Sequence, residues 1–249
     1  MLWKILREDA PEYIGVVFDT PEPTLRHQAF TAYKANRPGM PPLLAAQIPW
    51  VKRTLEALRI ATMERPGYEA DDLLAALTLR AQGLVNVVIV TQDKDALQLV
   101  GPRVRVLTMG AKSGERVLFD EKKVEERWGV PPARIPDLLS LTGDQIDNIP
   151  GVPGVGEVTA VKLLKQFGGL EGLYESLPLV GNAKLRETLA RHRDQVFRAR
   201  DLIRLVDLPD LEADLGQFRR EEPDWSTLRA LWEELQFSSL LKTLPARAS

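Results

Sequence analysis

Apolar and polar positions alternate along the first half of the chain in two recurring forms. Ile14-Gly15-Val16-Val17-Phe18 is a short apolar run that stops at Asp19, with Pro21 and Pro23 behind it. Such a run reads as a buried strand followed by a break. Residues 84–90 repeat the form and stop at Thr91-Gln92-Asp93-Lys94-Asp95. Between the runs, helical spacing predicts one helix over about 49–58, with Pro49 suited to its first turn, and another over 70–81 after a Pro66-Gly67 turn. Strands alternating with helices predict an α/β layer: a largely parallel central sheet flanked by helices. Residues 103–107 and 116–119, separated by a Gly-containing turn, read as an edge hairpin. Residues 38–42 read as a loop.

Pro131-Pro132 and Pro136 mark a change, and no strand pattern follows them. Residues 138–141, 157–167, 170–177, 183–206 and 227–241 all read as helical. We place a boundary near residue 130, with an α/β domain over 1–130 and an all-helical domain over 131–249. No internal repeat is visible.

Composition narrows the chemistry. The chain has 249 residues, 44% apolar and 27% charged, in the range of an ordinary globular protein and unlike a disordered one. It has no cysteine, which excludes a disulfide scaffold, a thiol nucleophile and a thiolate zinc site. Two histidines, His27 and His192, are too few for a His-rich metal site. The longest apolar stretch, 84–90, contains Asn86 and falls far short of the roughly 20 residues of a membrane span. No basic-then-apolar leader opens the chain. The expectation is a soluble, cytoplasmic protein without a membrane partner. The net charge of −2, from 33 basic against 35 acidic residues, argues against nucleic-acid binding by bulk charge. Charge is segregated, however. Lys184, Arg186, Arg191, Arg193, Arg198 and Arg200 face only Glu187 and Asp194, whereas five acids between Glu69 and Asp95 face only Arg80 and Lys94.

The acids carry the candidate chemistry. Ligands of open α/β sheets sit beyond the carboxyl ends of the strands, so Asp19, Asp93 and Asp95 are expected on one rim. Glu69, Asp71 and Asp72 open a helix that starts at the same rim. Asp144 and Asp147 lie in a polar loop, Gly143-Asp144-Gln145-Ile146-Asp147-Asn148. Two like charges 4 Å apart repel by about 4 kcal/mol at an effective dielectric of 20. With few bases nearby in sequence, hard divalent cations are the economical counterion, and two such ions suit attack on a phosphodiester. A plainer reading stands beside this one. Acids in a first helical turn favour the helix dipole, and Asp at a strand end is ordinary turn chemistry.

Arg26, His27, Tyr33, Lys34 and Arg37 follow the first strand. Lys34 and Arg37 share a face if helical, and such a basic, aromatic segment suits a phosphate and a stacked base, or is simply a solvated basic helix. Gly151-Val152-Pro153-Gly154-Val155-Gly156 precedes a helix whose start offers free N–H groups to an anion. No strand precedes this loop, so a dinucleotide fingerprint is rejected. A helix-hairpin-helix fits, and a plain Gly-rich connector is the alternative. Trp50, Trp128, Trp225 and Trp232 read as packing residues.

In this order the motifs resemble the 5′ nuclease domain of bacterial DNA polymerase I, in the flap endonuclease family. The matching stretches are 16–19, 26–37, Gly-Tyr-Glu-Ala-Asp-Asp (67–72), Thr-Gln-Asp-Lys-Asp (91–95), 141–156 and Phe-Ser-Ser-Leu-Leu (237–241). The resemblance implies a 5′-3′ exonuclease and structure-specific flap endonuclease of DNA replication and repair, acting on 5′ flaps and nicked or branched duplexes as a monomer. It implies that Asp19, Glu69, Asp71, Asp72, Asp93, Asp95, Asp144 and Asp147 surround two or more Mg²⁺ or Mn²⁺ ions. It implies that Arg26, Tyr33, Lys34 and Arg37 contact DNA, with Lys34 and Arg37 acting on the scissile phosphate. Residues about 150–165, among them Gly151, Gly154, Val155, Gly156, Thr159 and Lys162, would bind duplex DNA and hold a monovalent cation such as K⁺. One feature departs from the family pattern: an opening strand with an Asp-Gly pair is missing, and residues 1–6 resemble a later helix. Binding with poor cleavage is therefore expected, and a non-catalytic DNA-binding module is the leading rival. An RNase of a related metal-nuclease fold is a third reading.

Overall fold

The computed structural model describes residues 1–109 and 115–245. Its first elements are α1 (Leu2–Glu8), β1 (Gly15–Phe18), α2 (Leu25–Ala29), α3 (Pro42–Ala45), α4 (Ile48–Ala57), β2 (Ala61–Glu64), α5 (Ala70–Ala81), β3 (Val87–Val90), β4 (Val104–Met109) and β5 (Arg116–Phe119). Helices follow: α6 (Glu121–Trp128), α7 (Ile135–Thr142), α8 (Glu157–Phe167), α9 (Leu170–Glu175), α10 (Ala183–Arg191), α11 (Arg193–Ile203), α12 (Trp225–Glu234) and α13 (Ser238–Leu241). Every named strand thus precedes residue 120.

The described residues form two compact units. One draws on Met1–Thr20, Gly39–Arg65 and Asp210–Ser249, the other on Pro21–Pro38 and Pro66–Pro209. In the first unit β1 runs parallel to β2, with Gly15 opposite Ala61 and Phe18 opposite Glu64. Its core joins Leu6 of α1, Leu55 and Ala57 of α4, and Leu228 and Trp232 of α12. Trp3 meets Trp232 edge-on at 5.0 Å and Trp225 at 6.4 Å, and its indole N–H donates to Thr243 Oγ1 at 2.8 Å. An indole buries a large apolar body while its one polar atom finds a partner, which suits it to such a joint.

In the second unit β3 runs parallel to β4, and β4 pairs antiparallel with β5. One continuous core runs from Ile89 and Val106 of these strands to Leu138, Leu141, Leu163, Leu189 and Val196 of the helices. Helix α7 is buried along almost its whole length and packs along α11.

The expected helices and most strands are present, with four differences. Strand β2 has no apolar run; its residues alternate between half-buried and exposed, a pattern too short to stand out. Helix α6 is so charged that it shows no apolar period, yet its ends are marked. Asp120 accepts from the Lys123 N–H at 2.9 Å, and Gly129 closes the helix with φ +73°. The helical stretch 183–206 breaks at His192 into α10 and α11, and 227–241 breaks after Glu234 into α12 and α13. The tip of the predicted 103–119 hairpin, residues 110–114, lies outside the described residues.

Trp232 is 2% exposed, so removing its ring leaves a cavity in the core of the first unit. Trp232→Ala is expected to lower unfolding free energy by about 3–5 kcal/mol, measured by denaturant titration.

Candidate metal centre and nucleic-acid interface

Three local devices deliver carboxylates to one recess. Glu69 is the N-cap of α5, and it forms a reciprocal capping box with Asp72 three residues on. Asp93 leaves β3 and accepts the Asp95 N–H at 2.9 Å, opening a 3₁₀ turn at Lys94–Leu99. Asp144 begins the loop after α7, where it accepts the Ile146 N–H at 2.9 Å and pairs main chain with Ile149. Carboxylate oxygens of Asp95, Asp144 and Asp147, all buried, lie within 4.8 Å of one another. Glu69, Asp71, Asp93, Asp95 and Asp147 line the same recess.

The sequence suggested that few bases are local. The structure corrects this, because bases arrive from distant segments. Lys34 Nζ lies 2.6 Å from Glu69 Oε1 and 4.0 Å from Asp147 Oδ2. Arg37 pairs with Asp147, and Lys94 Nζ lies 2.8 Å from Asp144 Oδ2. Lys34 and Arg37 converge without a shared helix face. Residues 31–37 form turns, and Lys34 takes φ +53° while its N–H donates to Asp147 O at 2.9 Å. Tyr33 is 3% exposed, with its hydroxyl 3.0 Å from Glu69 Oε2 and 3.2 Å from Asp147 Oδ2. Burial, then the charges of Glu69 and Asp147, push that hydroxyl far above the usual tyrosine pKa, so it stays a neutral donor.

Arg26, expected on DNA, is instead used inside the protein. Nε donates to Leu202 O at 2.7 Å, and Nη1 donates to Asp72 Oδ2 at 2.5 Å and Glu69 Oε2 at 3.4 Å. Nη2 donates to Asp72 Oδ1 at 2.7 Å and Arg204 O at 2.9 Å. A guanidinium has five N–H donors, and all are used here. Asp72 is committed in turn, because its oxygens also accept the N–H groups of Glu69 at 3.2 Å and Val206 at 3.1 Å. In this arrangement Asp72 anchors Arg26 and the main chain at Glu69 and Val206. Asp19 follows β1 as an exposed residue of the first unit, whereas the clustered carboxylates belong to the second.

Asp95 is left least compensated. Its Oδ1 is buried without a hydrogen-bond partner. Burial first, then the charges of Asp93, Asp144 and Asp147, raise its pKa well above the ordinary value despite Lys94. An orphaned buried oxygen beside two further carboxylates fits a hard divalent cation, whose preferred donors are carboxylate oxygens. Asp95, Asp144 and Asp147 could offer such donors, and Glu69, Asp71 and Asp93 line the same recess.

Helices α7 and α8 flank the Gly-rich loop. Gly143 (φ +81°) and Gly151 cross so closely that a Cβ on Gly143 would lie 2.5 Å from Gly151 N. Gly154 turns the tip at φ +79°, with open space around it. Val155 is buried beneath the tip, Gly156 caps α8, Thr159 is half-buried and Lys162 is exposed. Sequence reasoning missed Gln195, whose Nε2 donates to Pro150 O at 3.2 Å and Gly151 O at 3.1 Å. It also missed Gln98. Neither has a local sequence signal, because apart from the Gln98 bond to Asp95 O the partners are tens of residues away. The basic run is less free than its spacing suggests: Arg200 is 8% exposed and pairs with Glu171 and Asp137. Arg191 pairs with Glu187.

Solved structures share this fold. T5 5′-exonuclease with bound zinc aligns at a TM-score of 0.70 and 22% identity, over 81% of this chain and 78% of that one. The catalytic core of Rad2 with a DNA substrate aligns at 0.62 and 21% identity, over 93% and 79%. Two family models match: the 5′-3′ exonuclease N-terminal resolvase-like domain over residues 1–129 and the 5′-3′ exonuclease C-terminal SAM fold over 130–226. The 5′-3′ exonuclease of Aquifex aeolicus is 35% identical over 97% of this chain and 81% of its own length. DNA polymerase I of Thermus filiformis is 43% identical over 96% of this chain, which spans 28% of that protein. The chain belongs to the 5′-3′ exonuclease family. No helix among the described residues is long and apolar enough to cross a membrane.

Because the folded pKa of Asp95 exceeds its unfolded value, the folded state holds the extra proton. Below the unfolded pKa both states are protonated, and stability is at its full value and does not vary with pH through Asp95. As pH rises through the folded pKa, the metal-free protein loses stability. Asp95→Asn is expected to flatten that part of the stability–pH curve and to abolish any rise in Tm on adding Mn²⁺. Thermal melts across pH with and without the ion check both.

Proposed function

We propose that the chain is a divalent-metal-dependent 5′ nuclease that hydrolyses phosphodiester bonds of DNA at 5′ flaps and nicked or branched duplexes, in replication and repair. The single observation that carries this is the convergence of Asp95, Asp144 and Asp147 to within 4.8 Å, with Asp95 Oδ1 unpartnered. Family membership supports the reaction class. Asp95, Asp144, Asp147, Asp71, Asp93 and Glu69 would hold Mg²⁺ or Mn²⁺, in two or more sites, and the ions would supply positive charge that polarises the phosphodiester. In this reading Lys34 and Arg37 meet the phosphate. Lys34 lines the recess, and Arg37 pairs with Asp147 of its wall and is 41% exposed at its side chain, so an incoming anion can reach it. As charge grows on the phosphate oxygens, these fixed cations stabilise it more than they stabilise the bound substrate. Tyr33, held neutral, orients Glu69 and Asp147. The Gly151–Gly156 loop, Thr159 and Lys162 would hold the duplex backbone with a K⁺ ion. The proposed functional division is 1–130 for cleavage and 131–249 for duplex binding, in a cytoplasmic monomer.

Lys34→Ala is expected to slow cleavage of a labelled 5′ flap by roughly 10²–10³-fold in Mg²⁺ while changing duplex affinity less than threefold. Equal losses of rate and affinity would remove the transition-state role. Binding without any cleavage by the unmodified chain would favour the rival reading, a non-catalytic DNA-binding module.

A further inference from the structure

Helix α11 ends beside the acidic recess in an unusual way. The last carbonyls of a helix have no intrahelical partner, and the chain beyond has none by default. Here five main-chain groups on consecutive residues are bonded by side chains from three other segments. Arg26 takes Leu202 O at 2.7 Å and Arg204 O at 2.9 Å. Gln98 Nε2 donates to Ile203 O at 3.1 Å, and its Oε1 accepts the Leu205 N–H at 3.1 Å. Asp72 Oδ1 accepts the Val206 N–H at 3.1 Å. Gln98 Nε2 also donates to Asp95 O at 2.9 Å, so one amide joins the main chain of the least compensated carboxylate to the end of α11. Leu202, Ile203 and Leu205 line the recess itself.

The other end of the same helix is fastened to the hairpin. Gln195 bonds Pro150 O and Gly151 O, where the Gly-rich loop begins. Between the fasteners, Val196, Ala199 and Ile203 are buried in the helical core, with α7 alongside. Eight residues separate Gln195 from Ile203, about 12 Å along a helix. A packed helix does not stretch, so it passes displacement at one end to the other.

We propose that α11 is a strut that sets the register between the duplex-holding hairpin and the acid cluster, with Gln195 and Gln98 as its positioning residues. This rests on the nuclease reading above. The phosphodiester that reaches the recess is then chosen by strut length and by these two amides. A loosened fastener lets the duplex sit at more than one register and lets Asp95 drift from Asp144 and Asp147.

The test uses the full chain, with Gln98→Met and Gln195→Met, which keep side-chain length and lose the hydrogen bonds. Cut positions on a labelled 5′ flap are read at single-nucleotide resolution, and Mn²⁺ binding without DNA is read from the free-ion magnetic resonance signal. Both variants are expected to raise the share of cuts away from the main position at least threefold. Gln98→Met alone is expected to weaken Mn²⁺ binding at least threefold. Gln98→Glu keeps the acceptor for Leu205 and loses both donor bonds, so it should also broaden the cuts, which guards against a folding defect in the Met variant. Normal Mn²⁺ binding and cleavage by the unmodified chain, with cut positions unchanged in all variants, overturns the strut alone. An unmodified chain that neither binds Mn²⁺ nor cleaves overturns the nuclease reading, and the strut with it.

Discussion

Like charge gathered in a half-dry recess is the constraint on which the rest of the second unit depends. Carboxylates at 4–5 Å repel by several kcal/mol unless something answers them. The fold answers with Arg37 and Lys94, each beside one acid, with Lys34 between Glu69 and Asp147, and with the Tyr33 hydroxyl between the same two. Those groups compensate Glu69, Asp147 and Asp144. Asp95 keeps an unpartnered oxygen at the centre. A structure that neutralised every acid would be more stable and chemically inert. One acid left without a close partner keeps a demand for a cation in the folded state.

Arg26 and Asp72 show the other use of buried charge. Their bidentate pair is desolvated, and such pairs contribute little net stability on average. What they contribute here is geometry. Every donor of Arg26 is directed, and three chain segments far apart in sequence meet at its guanidinium. Removing either partner would leave an uncompensated charge, which is costly, so the arrangement is stiff even where it is not strongly stabilising. The acids therefore divide into those fully bonded within the protein, such as Asp72, and those with an unpartnered oxygen, such as Asp95. Both kinds lie within one short stretch of sequence.

Much of this was legible in the sequence. Apolar runs ending in Asp, the helix from Ala70 with acids in its first turn, and the glycine spacing before α8 are local, and local chemistry produced each element where it was expected. Glu69 at a helix start and Asp93 and Asp95 after a strand line one recess, as those local signals suggested, whereas Asp144 and Asp147 come from a loop and Asp19 belongs to the other unit. Strand β2 and helix α6 were hidden because neither carries a long apolar period. The single helices read over 183–206 and 227–241 were split by backbone turns that periodicity does not register.

Tertiary structure alone decided which acids are answered and by what. The composition between Glu69 and Asp95 suggested uncompensated charge, yet the compensating bases come mainly from residues 26–37. Asp71 and Asp72 are neighbours of the same type, and only the approach of Arg26 makes one of them an anchor. Gln98 and Gln195 carry no motif; Gln195 bonds carbonyls 44 and 45 residues away, and Gln98 joins Asp95 O to main chain more than 100 residues away. Elements are set by neighbours along the chain, through periodicity and capping. Charge pairing is set by neighbours in space, and folding brings those together only after the sequence has determined the elements that carry them.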